Sequence, residues 1–271
     1  LEYSSDIGLP IINHCEVPEL ANGASMNESW VSNILGLKGM PKSAEEVMVA
    51  RDISLAKLTD GHVHIAHISS SGTLDLIRQG KEMGINVTCE VTPHHLTLTD
   101  EAILGRGSKI HSDFSIDETA YDTRAKVNPP LRQMQDTLNL VEGLKDGTID
   151  IIATDHAPHS AVDKICTFNE AAFGISVLET AFGSLMSLVH NEQIELGILI
   201  EKLTSAPAKL LNMDLGSVSI GSPANLTIFD PNKEWTVNAE TFKSKGKNTP
   251  LDSLLMKGQI AKTIYGGKVI F

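Results

Sequence analysis

The chain has 271 residues, 41% of them apolar and 21% charged, and its 34 acidic against 22 basic side chains leave a formal charge of −12. That composition belongs to a globular protein with a full core, and an acidic balance without a basic run gives no footprint for nucleic acid or an anionic membrane surface. No apolar stretch approaches a membrane span, and residues 1–10, with Glu2 and Asp6 and no basic region, do not read as a signal peptide, so a cytoplasmic protein acting on small molecules is expected. Cys15, Cys89 and Cys166 are three, far apart and without a CxxC, which speaks against a disulfide framework and a cysteine zinc site.

In chain order, short apolar runs alternate with helix-like patterns, the signature of parallel β/α units. The runs are Leu9-Pro10-Ile11-Ile12 ending at His14, Val63 to Ile68 around His67, Ile85 to Val91 ending near His94, and Ile149 to Ala153 ending at Asp155. Each delivers a chemically capable residue to a strand end, where parallel α/β architectures gather their sites. Ser43-Ala44-Glu45-Glu46 reads as a capping box opening a helix to about Leu58. Polar residues 99–124, with Gly105 and Gly107, read as a long surface loop near the strand ends. Leu178, Ala181, Phe182, Leu185, Met186 and Val189 follow helical spacing and predict an amphipathic helix over the sheet. Beyond residue 213 the pattern turns to β-like pieces: Ser217 to Ile220, Leu226 to Phe229, Trp235 to Val237, and a hairpin about Gly266-Gly267. Residues 1–213 and 214–271 are therefore expected to be separate units, the second a small accessory β domain.

A single strand-end histidine is more often a satisfied core or surface residue than a ligand. Two of them, His14 and His67, on successive parallel strands can converge on one ion, because imidazole nitrogen is a favoured ligand for Zn²⁺ and similar metals. Asp155, in Thr154-Asp155-His156-Ala157-Pro158-His159, can ligate a metal and accept the proton of a water that the metal acidifies; its plainer reading is a loop cap. His62 and His64 look like a ligand pair, but alternation puts both on the face opposite His67, and a structural role is expected.

A resemblance adds to this reading. His14-Cys15-Glu16, Leu35-Gly36-Leu37-Lys38-Gly39-Met40-Pro41, His64-Ile65-Ala66-His67-Ile68-Ser69, Val91-Thr92-Pro93-His94-His95-Leu96, Val127-Asn128-Pro129-Pro130-Leu131-Arg132 and Ala153-Thr154-Asp155-His156-Ala157-Pro158-His159 stand in the order found in dihydroorotases. The chain resembles the long bacterial-type dihydroorotases of the amidohydrolase superfamily over essentially its whole length. Allantoinases and dihydropyrimidinases share the framework.

The resemblance implies metal-dependent, reversible hydrolysis of L-dihydroorotate to N-carbamoyl-L-aspartate, a step of pyrimidine synthesis, with one or two Zn²⁺ ions in a complete site. It implies that His14 and His67 ligate the metal not held by the family's first-strand histidines, and that Asp155 is the remaining ligand and the general base. Asn128 and His159 are similar to the family's substrate-binding residues, with Phe173 and Gly174 lining the site through backbone groups. Arg132 is a carboxylate-clamp candidate only by proximity. The fold implied is α/β, a TIM-like (β/α) barrel of the amidohydrolase type.

The family's first-strand HxH pair with its following Arg, and the bridging carboxylate of its fourth strand, have no counterpart here. His14 matches the fifth strand, so this reads as the C-terminal part of the barrel, lacking its first four strands, with part of the accessory β domain. A barrel takes roughly 250 residues, more than residues 1–213 supply. Open strand edges and exposed apolar surface are expected in consequence. A homodimer is expected. Two further readings stand beside the first: another cyclic-amide hydrolase (allantoinase, or dihydropyrimidinase/hydantoinase), and a non-catalytic dihydroorotase-like subunit supporting aspartate transcarbamoylase.

Overall fold

A computed structural model describes residues 1–105, 116 and 118–271. Four parallel strands form the main sheet in the order β1 (Ile11–Asn13), β4 (Val63–Ile65), β5 (Val87–Val91) and β6 (Ile151–Ile152). A two-stranded parallel pair, β2 (Met26–Asn27) and β3 (Gly39–Met40), lies within the β1-to-β4 connection. The antiparallel ribbon β7 (Leu226–Thr236), β8 (Leu255–Tyr265) and β9 (Lys268–Val269) closes the chain.

The two faces of the main sheet differ. In β5, Val87, Cys89 and Val91 are buried and alternate with the partly exposed Thr88 and Glu90. The buried set packs with Val49, Ile53 and Ala56 of the helix Ser43–Thr59, Leu74 and Ile77 of Ser71–Glu82, and Leu140, Val141 and Leu144 of Met134–Lys145. The other set meets histidines: His62 Nε2 and His64 Nδ1 each lie 2.8 Å from Thr88 Oγ1, and His64 Nε2 lies 3.2 Å from Glu90 Oε2. Period-two alternation thus sorts helix-facing apolar residues from a polar face. At the sheet's edge Ile11 and Ile12 of β1 are exposed, as expected of a strand paired on one side.

Three local expectations are corrected. The helix Ser43–Thr59 has no capping box: Lys42 is its N-cap without a side-chain bond. Glu46, the acid of the expected box, instead accepts from Ser70 Oγ (2.9 Å). Its buried neighbour Glu45 accepts from the backbone N–H of Ser69 (3.0 Å) and Ser70 (3.3 Å) and from Ser69 Oγ, and lies 3.7 Å from Arg132. The helix expected from Leu178 begins at Ala181, with Leu178 exposed ahead of it. Ser217 to Ile220 form no strand, and Ile220 is fully exposed: nothing packs against its apolar side chain, and propensity alone does not hold a strand.

The Gly266-Gly267 hairpin forms as expected, Ile264 pairing Val269 and Tyr265 pairing Lys268, with φ +55° and +78° at the two glycines. Both positive values are what a two-residue hairpin matching the strand twist requires. Of the loop expected over 99–124, the 3-10 turns Asp100–Leu104 and Thr123–Ala125 are described, tied by Tyr121 N–H to Ile103 O (2.8 Å); residues 106–115 and 117 lie outside the described residues.

Candidate functional site

His14, His67, His94 and Asp155 each follow the C-terminal end of a parallel strand. The strands set their spacing: Ala66 N–H donates to Asn13 O (3.0 Å), Ile68 N–H to Glu90 O (2.9 Å) and Ala153 N–H to Val91 O (3.1 Å). His67 (φ +34°) and Asp155 (φ +45°) both occupy the left-handed region. Side chains with a Cβ pay for that conformation, and such strain concentrates where function needs a particular aim.

His14 Nδ1 and His67 Nε2 approach to 2.9 Å with the rings edge-on at 72°. His67 is buried and its Nδ1 has no hydrogen-bond partner among the described residues. Burial first, then the neighbouring His14, holds the His67 imidazole below its ordinary range, against the pull of Asp155 and Glu90. Burial raises the Asp155 carboxyl, Glu90 adds to the rise, and His67 and His14 oppose it. Two imidazole nitrogens 2.9 Å apart, with a carboxylate in electrostatic reach, are of the types that a metal's donor set uses. Among the described residues no three His, Cys, Asp or Glu side chains close on one point, so the chain supplies two converged donors and one nearby.

Around this pair, Glu16 Oε2 lies 3.7 Å from His14 Nε2 and accepts from Asn128 Nδ2 (2.7 Å). Asn128 Oδ1 is buried without a partner among the described residues, a free acceptor close to the histidines. His94 and His95 are buried behind the strand ends. His95 is fixed between Thr92 Oγ1 (2.8 Å) and Pro129 O (3.0 Å), and burial lowers its pKa to about 4; burial likewise drives His94 well down. His156 has a structural role, its Nδ1 accepting from the N–H groups of Val177 (3.0 Å) and Leu178 (3.2 Å).

His159 sits on the following loop and its Nε2 donates to Phe173 O (2.8 Å). Gly174 has φ +143°, and a Cβ there would stand 2.6 Å from Ala157 Cβ and 2.9 Å from His159 Nε2. Phe173 and Gly174, expected to line the site through backbone groups, lie on the segment beside His159. Gly174 N–H donates to Lys126 O (2.9 Å) and its carbonyl accepts from Asn248 Nδ2 (3.0 Å), so these groups knit loops together. The Arg132 clamp is corrected: its guanidinium is buried and donates to Ser69 Oγ (3.0 Å), Asn27 Oδ1 (2.9 Å) and Met40 O (3.0 Å). His64, expected to be structural, is buried and bonded to Thr88 and Glu90.

The sequence pattern of the amidohydrolase family matches residues 1–270. The chain belongs to the amidohydrolase family. A dihydroorotase of Pelotomaculum thermopropionicum is 47% identical over 275 residues, covering 100% of this chain and 60% of that protein. A dihydroorotase of Desulforapulum autotrophicum is 42% identical over 271 residues, with the same coverage of 100% and 60%. This amidohydrolase chain thus spans about 60% of the length of those relatives. The dihydropyrimidinase structure from Brevibacillus agri superposes with a TM-score of 0.84 at 21% identity, covering 100% of this chain and 58% of that one. The L-hydantoinase structure from Arthrobacter aurescens gives 0.83 at 25%, covering 99% and 58%. The α/β fold with its parallel sheet is therefore the amidohydrolase fold.

Within this amidohydrolase chain, sequence reasoning passed over Glu90, Glu16 and Asn248. Glu90 carried a signal, a carboxylate alternating with buried Cys89 and Val91. Glu16 stands two residues from His14. Asn248 had no local signal at all.

Proposed function

We propose that the whole protein to which this chain belongs is a dihydroorotase, catalysing the metal-dependent, reversible hydrolysis of L-dihydroorotate to N-carbamoyl-L-aspartate. The carrying observation is the 42–47% identity, across the entire chain, to proteins named dihydroorotase. On this reading residues 1–213 supply strands five to eight of a TIM-like barrel and residues 214–271 part of the accessory β domain.

His14 through Nδ1 and His67 through Nε2 would hold a zinc ion, Asp155 completing this chain's share, and residues outside the chain would bring the count to one or two ions. Such an ion, when bound, polarises a carbonyl oxygen and makes water more acidic. Asp155 takes the proton of the attacking water on a carboxylate oxygen and returns it to the ring nitrogen as the amide C–N bond breaks. Glu16 orients His14 and Asn128 together. Asn128 through Oδ1 and His159 through its imidazole bind the substrate's ring and carboxylate.

The test is turnover by the full-length, metal-loaded protein, with dihydroorotate, allantoin and dihydrouracil compared. Dihydroorotate preferred by at least an order of magnitude supports the reading, and preference for dihydrouracil overturns it. The L-hydantoinase likeness at 25% identity makes a dihydropyrimidinase-type activity the second reading.

A further inference from the structure

Residues 244–248 lie far along the chain from every strand-end residue, yet they bind the two loops that carry His159 and Phe173-Gly174. Asn248 is 5% exposed and its side chain is fully engaged. Oδ1 accepts from His159 N–H (2.8 Å), while Nδ2 donates to Gly174 O (3.0 Å) and Ala157 O (3.2 Å). Ser176 Oγ stands 3.0 Å from Oδ1 and 2.8 Å from Gly246 O, sharing its one proton between them, and Ser176 N–H donates to Asn248 O (2.9 Å). Gly246 packs so closely that a Cβ would stand 2.6 Å from His159 N and 2.7 Å from His159 O.

Only a side-chain amide both accepts from an amide N–H and donates to two carbonyls from one short stem. Apart from Asn248, the two segments are tied by His159 Nε2 to Phe173 O (2.8 Å) and Ala157 N–H to Ile175 O (3.0 Å), and away from His159 by Val177 and Leu178 N–H to His156 Nδ1, Ala172 N–H to Asp163 O (3.0 Å) and Lys164 Nζ to Ala172 O (2.6 Å). The first of those is the bond that a substrate anion at His159 would compete for. The second fixes Ala157, two residues short of His159. The backbone of His159 itself is gripped by Asn248. Misplacing a binding group by about 1 Å is enough to cost about a hundredfold in rate.

We propose that Asn248 is a positioning residue for the substrate loops: its side-chain amide sets the separation of the His159 and Phe173-Gly174 segments, and with it the affinity for the anionic substrate, without touching that substrate. This deepens the dihydroorotase reading and rests on it. A cavity of about 410 Å³ lies between the His159 loop, residues 122–124 and residues 245–248, so the His159 loop has room to shift if the amide is lost.

The test compares the full-length, metal-loaded protein with Asn248→Ala and Asn248→Asp. The Asp variant keeps the size and the acceptor of Asn248 and loses both donors, so it carries the test if the Ala variant fails to fold. In each variant the KM for dihydroorotate and the Kd for N-carbamoyl-L-aspartate rise about tenfold or more, with kcat falling less than KM rises and bound metal unchanged. Amide hydrogen exchange accelerates by about tenfold or more in residues 156–160 and 173–176 and not in the helix Ser71–Glu82. A folded variant with KM and Kd within twofold of the parent overturns the proposal, as does exchange that accelerates evenly through the chain. If the parent fails to hydrolyse dihydroorotate, the activity reading falls. The positioning role is then decided by exchange alone: acceleration confined to the two loops upholds it, and unchanged protection refutes it.

Discussion

Two halves of the candidate site are built by different means. His14, His67 and Asp155 stand at the ends of parallel strands whose registers are set by backbone bonds between neighbours in the sheet. Asn128, His159 and Gly174 stand on loops held by side chains from distant segments: Glu16 on Asn128, and Asn248 on the other two. The strand-end half follows from the order of elements. The loop half depends on single residues whose loss no neighbouring strand repairs. On the proposed function, strand ends would provide the metal donors and loops the adjustable contacts with the substrate.

That contrast breaks most visibly at Asp155. Asp155→Asn in the full-length protein should lower kcat by about three orders of magnitude, the scale of a lost general acid–base, while circular dichroism stays unchanged; retained turnover would remove Asp155 from its proton-transfer role. Glu45→Gln tests the support beneath the strand ends, because Glu45 holds Ser69 and Ser70 just beyond His67 and faces buried Arg132. Unpairing a buried ion pair costs about 3–5 kcal/mol, read as a lowered urea midpoint at constant slope. Gly174→Ala strikes the loop half: its φ and the 2.6 Å approach to Ala157 Cβ forecast a loss of about 1–3 kcal/mol, with KM rising more than kcat falls. A midpoint equal to the parent's would show that the loop yields freely.

A pH series sharpens the same division. The His95 pKa of about 4 in the folded chain lies below its ordinary 6.5 because of burial. The unfolded chain thus binds the proton first as pH falls. This stabilising contribution is complete above pH 6.5, declines between 6.5 and 4, and levels off below. Denaturation midpoints taken across that window should fall, and His95→Gln should flatten the slope; an unchanged slope would assign the acid sensitivity to other groups.

Much of the strand-end half was legible. Apolar runs ending in His14, His67 and Asp155 announce themselves because β/α units repeat a local pattern, and an unusual residue at a strand end stands out from it. Arg132 misled for the opposite reason. Its position after Asn128-Pro129-Pro130 suggests a ligand clamp, but Glu45, Asn27 and Met40 O, all distant in sequence, enclose it. The Ser43 capping box failed likewise, since Glu46 is bonded to Ser70 Oγ across the fold.

By itself the sequence determined the alternation of elements, the two faces of β5, the Gly266-Gly267 turn and the place of His14, His67 and Asp155 after strand ends. These rest on interactions between residues near in sequence or on a short period. Tertiary structure alone decided that His14 Nδ1 and His67 Nε2 meet at 2.9 Å, that Glu90 is the partner of His64, and that Asn248 holds the His159 loop. Those outcomes turn on where a buried polar group finds its partner. That partner is chosen by the packing of the whole chain, because an unpaired buried donor or acceptor costs more than any local preference returns.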